Sequence, residues 1–340
     1  MKRKTKFFLG IDVSKLTLDI SLLAVIDHDK SEMITDRFDN SVEGLKKVVK
    51  WLKKQKVPFN TDTLVVIENT GVYHRLIWSC FSTNGLPLYI GNAAHIKWSL
   101  GITRGKNDRI DSQRLCNYAF RNSDELKATP PLNPVLLQLK DLMTSRSRLL
   151  VQLGGIKVYL SELTPSSSEA TLAIMKEAHQ MAVDGLKASI RVLEQRIHQI
   201  IEENPVIKNN YELLKTVPGI GHLTAVYLIC CTNNFSTRTT GKQLASYAGL
   251  APFASTSGTS IKGRNKVHKM ANKTLKKMLN LCAMSSIKYY PEFRYYYDRK
   301  IAEGKHPYTV LNAIRNKIVL RAAAVINMQR PYVDNYNKAA

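Results

Sequence analysis

Apolar positions along this chain follow two periods, and the change between them divides it. Phe7-Phe8-Leu9-Gly10-Ile11-Asp12-Val13 is a short apolar run interrupted by one acid, and Leu16 to Ile26 is a second run rich in Leu, Ile and Val. Ser14-Lys15 between them reads as a tight turn. The two runs predict a strand hairpin with Asp12 near the end of its first strand. Ser41 to Lys54 then places Leu45, Val48, Val49 and Leu52 on one helical face behind a serine cap. Thr63 to Glu68 is a continuous apolar strand ending in an acid. A turn at Asn69-Thr70-Gly71 leads into a helix from Val72 to Phe81, and Leu86 to Ile90 predicts another strand. Residues 1–125 read as a mixed α/β domain.

Beyond Pro130-Pro131 and Pro134 the period lengthens. Val135 to Leu160 runs as one long helix, with Gly154-Gly155 expected to weaken it. Pro165-Ser166-Ser167-Ser168 turns the chain into a second helix carrying Leu186, Ile190, Leu193, Ile197, Ile200 and Ile201. Apolar steps of three and four without aromatic bulk suggest a helical hairpin or coiled coil over 126–205. Such a stripe serves either as intrachain core or as a seam between copies. Residues 206–340 read as mainly α. Leu213 to Gly221 has the look of a helix-hairpin-helix, in which Gly219 and Gly221 allow a tight turn whose backbone N–H groups can hold a phosphate. An ordinary helix–helix turn is the competing reading. Lys242 to Leu250, Thr274 to Lys288, Glu292 to Glu303 and Pro307 to Met328 read as helices, and Pro252 to Arg264 as a flexible loop of small hydroxyl residues and glycine.

Charge narrows the partner. The 340 residues carry a formal net charge of +23, which points to a polyanion. Residues 206–340 hold 21 basic against 5 acidic residues and so +16 of that total. Ribosomal and membrane-surface proteins share such totals, so charge alone does not make an enzyme. Five cysteines without CxxC spacing or paired histidines speak against zinc or a disulfide framework, and for a reducing cytoplasm. The apolar stretch after Lys2-Arg3-Lys4 is too short for a signal peptide. No run approaches the roughly 18 apolar residues of a membrane span.

Candidate chemistry sits on acids and one serine-rich stretch. Asp108 and Asp111 open a helix marked by Ile110, Leu115 and Ala119, and residues three apart share a face. Asp12 and Glu68 each follow an apolar strand. An acid there is costly unless paired or bound to metal. The plainer alternatives are an acid facing water at a strand end, or Asp108 capping its helix. Between Lys262 and Lys277 there are seven Lys or Arg and no acid, an electrostatic footprint for phosphate. Tyr289, Tyr290, Tyr295, Tyr296 and Tyr297 cluster with Arg294, Arg299 and Lys300, which suits stacking on exposed bases as well as core packing.

Taken in order, Gly10-Ile11-Asp12-Val13-Ser14-Lys15, Ile67-Glu68-Asn69-Thr70-Gly71-Val72-Tyr73 and Lys106-Asn107-Asp108-Arg109-Ile110-Asp111 resemble the RuvC-type, ribonuclease-H-like domain of the DEDD transposases. These are insertion-sequence recombinases related to the Piv DNA invertase. The resemblance implies that the catalytic, metal-binding acids are Asp12, Glu68, Asp108 and Asp111, holding Mg2+ with Mn2+ as a substitute. Ser112 stands where the family usually carries alanine and Asn107 where it often has threonine, and neither change removes a ligand.

The Ser257-Gly258 step, Gly263-Arg264, the basic run and Asn272 resemble the family's C-terminal transposase domain, whose serine attacks DNA. The match falls on Ser257, with Ser255 and Ser260 as fallbacks. Departures are Thr256 at a common serine position, Ala271 at a glycine and Lys276 at an arginine. Lys262, Arg264, Lys266, Lys269 and Lys273 are the expected phosphate contacts.

What the family implies is a RuvC-like domain at 1–125, a coiled-coil insert at 126–205 that brings protomers into a dimer or tetramer, and a serine-bearing DNA-binding domain at 206–340. It implies cutting and rejoining of DNA through a 5′-phosphoserine, guidance by a noncoding bridge RNA, and a cytoplasmic, nucleoid-associated place in a bacterium or archaeon. Two other readings compete. One is a Holliday-junction resolvase that activates water; the other is a nucleic-acid-binding protein without catalysis.

Overall fold

Period-2 alternation builds the first half of the chain. Strands β1 (Thr5–Val13) and β2 (Thr17–Ile26) pair antiparallel, and Ser14 closes their turn by accepting a hydrogen bond from the Thr17 backbone N–H at 2.9 Å. Two further strands, β3 (Asp29–Lys30) and β4 (Ile34–Asp39), pair with β2. Helix α1 (Val42–Lys54), capped by Ser41, crosses to β5 (Thr63–Glu68), which lies parallel to β1. Helix α2 (Arg75–Thr83) leads to β6 (Leu88–Gly91), parallel to β5, and is followed by α3 (Ala93–Ser99) and α4 (Asp108–Arg121). The strand order is β3-β2-β1-β5-β6, with β4 also on β2. This mixed sheet flanked by helices fits a ribonuclease-H-like domain.

The computed structural model describes residues 5–27, 29–101, 107–131, 133–237, 239–257, 261–267 and 271–333. Its chain separates into two compact units, Met1–Leu132 and Asn133–Ala340. In the first, alternation sorts side chains to the two sides of the sheet. Leu9, Ile11, Val65 and Ile67 pack with Leu45, Val48, Leu52, Ile77 and Phe81 of α1 and α2. Phe8, Leu23 and Val66 pack with Leu115, Cys116 and Ala119 of α4. The expected helix over 72–81 begins three residues later and ends two later. The short β4 and α3 stand in stretches where no element was expected.

The second unit is helical around one core. Helices α5 (Pro134–Leu163) and α6 (Glu169–Glu202) form a long pair. The first runs unbroken through Gly154 and Gly155, because a glycine costs only about 1 kcal/mol in a helix and packing on a neighbour outweighs that. Helices α7 (Pro205–Lys215), α8 (His222–Cys231) and α9 (Gly241–Tyr247) follow. Then come β7 (Pro252–Ser257), β8 (Ile261–Val267), α10 (Lys273–Tyr289), α11 (Pro291–Ala302) and α12 (Pro307–Met328). Leu139, Ile197, Leu214, Ile229, Leu244, Leu279 and Ile318 share its core.

One expectation is corrected here. The stretch read as a flexible loop over 252–264 is an antiparallel hairpin, with Thr256 opposite Lys262 and Ser257 opposite Ile261. Small hydroxyl residues look loop-like by composition, but two runs bounded by a short Gly/Ser segment carry a hairpin signal as well. Among the described residues no helix is long and apolar enough to cross a membrane.

Candidate active site

The same alternation that builds the core aims the acids. On β1 the even positions Phe8, Gly10 and Asp12 share one side; on β5 it is Leu64, Val66 and Glu68; on β2 it is Asp19, Ser21 and Leu23. Phe8, Leu23 and Val66 pack toward α4, so Asp12, Asp19 and Glu68 belong to the α4 side of the sheet. The register brings Asp12 opposite Asp19 and Gly10 opposite Ser21.

Gly10 lets the helix come close. A Cβ there would stand 2.0 Å from the Cys116 backbone nitrogen and 2.2 Å from the Ser112 carbonyl oxygen, so a side chain at position 10 would have to push α4 away. Ser112, fully buried, donates to the Arg109 carbonyl at 2.8 Å and lies 2.8 Å from the Ser21 hydroxyl. The serine that departs from the family's alanine therefore pins α4 to β2.

The first turn of α4 carries the other two acids. Asn107 is the cap, accepting from the Arg109 N–H at 2.7 Å, so Asp108 is not spent on capping. Asp12, Glu68, Asp108 and Asp111 line one cavity of ≈ 550 Å³, together with Lys97 of α3 and Arg114 of α4. Burial pushes the Asp12 carboxyl up to about 6, and the charges of Asp108, Asp111, Glu68 and Asp19 push it the same way. Two arginines offset this repulsion. Arg37 of β4 donates from Nε to both oxygens of buried Asp19, at 3.0 and 3.1 Å. Its Nη2 also reaches Asp108 Oδ2 at 3.3 Å. Arg114 Nη1 donates to Asp111 Oδ1 at 2.8 Å.

All four expected metal ligands are carboxylates, the donor class a hard divalent ion takes. Asp12 feels the charges of the other three, which is the electrostatic condition a cation relieves. Among the described residues, however, no three potential ligands stand close enough together to hold an ion as they are. Instead Asp108 and Asp111 are held by arginines.

The other expected site residues lie in the second unit. Ser257 is the last residue of β7, and Lys262, Arg264 and Lys266 occupy alternate positions of β8. Lys273 opens α10 and is exposed. Gly258, Ser260 and Lys269, like Gly105 and Lys106 of the first unit, lie outside the described residues. Gly219 sits between α7 and α8 with φ +85°, where a Cβ would meet Ser286 Oγ at 2.1 Å and the Cys282 carbonyl oxygen at 2.7 Å. Close packing on α10 therefore accounts for it. Gly221 caps α8, is exposed, and has open space where a Cβ would be. The tyrosines divide: Tyr289 and Tyr295 are exposed, while Tyr296 and Tyr297 pack against the core.

Reading the sequence missed Asp19, Arg37, Lys97 and Arg114. Asp19 had a signal, an acid between Leu18 and Ile20 in an apolar run. Nothing local marked Arg37, whose role comes from the β2–β4 register that sets it opposite Asp19.

Known proteins match this chain over most of its length. Residues 9–163 match a family model for the DEDD transposase of IS110, described as transposase. Residues 211–298 match one described as transposase of the IS116/IS110/IS902 family. The pilin gene-inverting protein of Moraxella bovis is 30% identical, over 96% of this chain and 98% of its own. An uncharacterized 43.6 kDa protein of insertion element IS110 from Streptomyces coelicolor is 34% identical, over 44% of this chain and 36% of its own. Among solved structures, T. thermophilus RuvC in complex with a Holliday junction substrate is 11% identical, covers 36% of this chain and 99% of its own, and has a TM-score of 0.27.

Proposed function

For a chain that belongs to the IS110 family of DEDD transposases, we propose that Asp12, Glu68, Asp108 and Asp111 form a divalent-metal site that acts with Ser257 to cut and rejoin DNA. The supporting observation is the cavity the four acids share, with the Asp12 carboxyl raised to about 6 among them. Mg2+, or Mn2+ in its place, would supply charge neutralisation at a phosphodiester. The acids hold that charge in place, while Arg37 and Arg114 keep Asp108 and Asp111 from repelling one another before it arrives.

A serine hydroxyl is a weak nucleophile at neutral pH and needs activation. In the proposed step the Ser257 oxygen bonds to the 5′-phosphorus, the bond from phosphorus to the 3′-oxygen breaks, and the serine proton passes to the released 3′-oxygen, which leaves as a hydroxyl. Attack by another 3′-hydroxyl on the phosphoserine reverses the step and rejoins strands without ATP. Lys262, Arg264, Lys266, Lys269 and Lys273 seat phosphates beside the serine, and the turn at Gly219 and Gly221 adds backbone N–H groups. A noncoding bridge RNA supplies the sequence reading. Exposed apolar residues far along the helical pair, among them Val151, Ile174 and Met181, suit an oligomer seam, so the active assembly is a dimer or tetramer.

A nicked-substrate assay with Mg2+ tests this. The wild-type chain should leave a protein–DNA adduct trimmed by protease, and Ser257→Ala should leave none while keeping its DNA affinity. Cutting by the alanine variant would mean that water is the nucleophile and that the protein works as a resolvase. Light scattering with and without DNA tests the assembly, and a monomer in both states would remove the oligomer seam.

A further inference from the structure

A second cavity, of ≈ 690 Å³, lies within the second unit among residues of α5, α8, α9 and α10. Its apolar lining includes Met143, Leu150, Leu223, Met278 and Leu281. Lys140, Arg146, Arg148 and Lys277 also line it, and no carboxylate does among the described residues. Arg146 is held by Glu194, at 2.7 Å. Lys140, Arg148 and Lys277 make no ion pair among the described residues, so their charge faces whatever enters.

One wall is polar and fixed. Asn272, the cap of α10, accepts from the Leu275 N–H at 2.9 Å and the Tyr227 hydroxyl at 3.2 Å, and donates to the Tyr247 hydroxyl at 2.8 Å. Burial raises both phenols above their ordinary range, so they stay neutral beside an anion. Burial also raises the neighbouring thiols, Cys230 to about 12. As protonated thiols the two cysteines are inert lining rather than nucleophiles.

The matching ligand has an apolar body, a polar edge and a negative charge. An acyl chain with an acidic head matches the apolar lining and the cations but leaves the hydroxyl wall without a counterpart. A nucleotide matches all three, and unpaired bases are commonly bound by splaying them into such pockets. We propose that this cavity receives one unstacked nucleotide of a bound strand, with its base against Met143, Met278 and Leu281 and its phosphate on Lys140, Arg148 and Lys277. The proposal rests on the recombinase reading only for the strand that delivers the nucleotide. The contact itself is separate from the carboxylate site.

Saturation-transfer NMR on the full chain tests it, with 5′-AMP, 5′-dAMP and dodecanoate as observed probes and inorganic phosphate as a competitor against each nucleotide. Saturation should reach the base protons of the nucleotides. Met278→Trp, which fills the cavity, should weaken binding at least tenfold. Leu281→Glu puts a carboxylate at a position already 61% exposed; it should weaken binding too and guards against misfolding of the first variant. Asp12→Asn should leave binding unchanged. Preference for 5′-AMP identifies an RNA strand, and equal or stronger binding of 5′-dAMP identifies DNA.

The proposal is overturned if phosphate binds as well as either nucleotide, if dodecanoate binds better, or if nucleotide binding ignores both cavity changes. In that last case, loss of cleavage in Asp12→Asn would leave the recombinase reading standing. Conversely, nucleotide binding that both changes abolish, in a wild-type chain that never cuts DNA, would support the cavity and remove the recombinase reading.

Discussion

Asp12, Asp19, Glu68, Asp108 and Asp111 reach one side of one sheet from four elements, the adjacent strands β1 and β2 and the more distant β5 and α4. Lys262, Arg264 and Lys266 of the second unit instead stand at alternate positions of a single strand, and Lys273, Lys276 and Lys277 on a single helix. The difference is one of cost. Gathering like charges at a partly buried place opposes folding, and it survives here because Gly10 admits α4 and two arginines face the acids. Basic residues on one strand or one helix need no distant elements to bring them together. Under the proposed function, convergence against an electrostatic cost goes with the chemistry and local accumulation with the affinity.

Variants of the acids should show the largest effect. Asp12→Asn or Glu68→Gln should lower strand cleavage about a thousandfold, the equivalent of about 4 kcal/mol of lost charge stabilisation. Binding of DNA in a gel-shift titration should hardly change. Recombination that survives either change would break the contrast, since the gathered acids would then be structural.

Close packing comes next. Gly10→Ala forces α4 off the sheet and should destabilise the protein by about 1–3 kcal/mol, read in urea unfolding. It should also abolish any rise in melting temperature on adding Mg2+. Gly219→Ala meets Ser286 and Cys282 in the second unit and should cost a comparable amount while keeping that rise. If both variants respond to Mg2+ alike, close approach of α4 does not set the acid geometry.

Changes in the basic strand should be milder. Lys262→Gln or Lys266→Gln should each weaken DNA binding at every sequence tested and reduce the salt slope by about 1. A loss confined to one sequence would give these residues a reading role instead. The smallest effect is expected at Gly154, where an added Cβ meets nothing within 4 Å. Gly154→Ala should stabilise the chain by about 0.5–1 kcal/mol in thermal unfolding.

Much of the candidate site was legible because its signals are local. An apolar strand ending in an acid appears at Asp12 and again at Glu68, and a helix with two acids in its first turn appears at Asp108. Each needs only a dozen residues to recognise. The hairpin around Ser257 was misread because hydroxyl-rich composition signals a loop and a strand alike, and pairing with β8 decides between them.

By itself, then, the sequence determined the alternation of β1, β2 and β5, the amphipathic faces of the helices, the order of the four acids and the excess of positive charge after residue 205. Those properties depend on neighbours a few positions away. Only the tertiary structure decided that the even positions of β1 and β5 and the odd positions of β2 share the α4 side, because which strands pair, and in what register, is settled by packing across the sheet. The same holds for Arg37, set against Asp19 by the β2–β4 register, and for Gly10, whose missing side chain matters only because the backbone of α4 fills the space beside it.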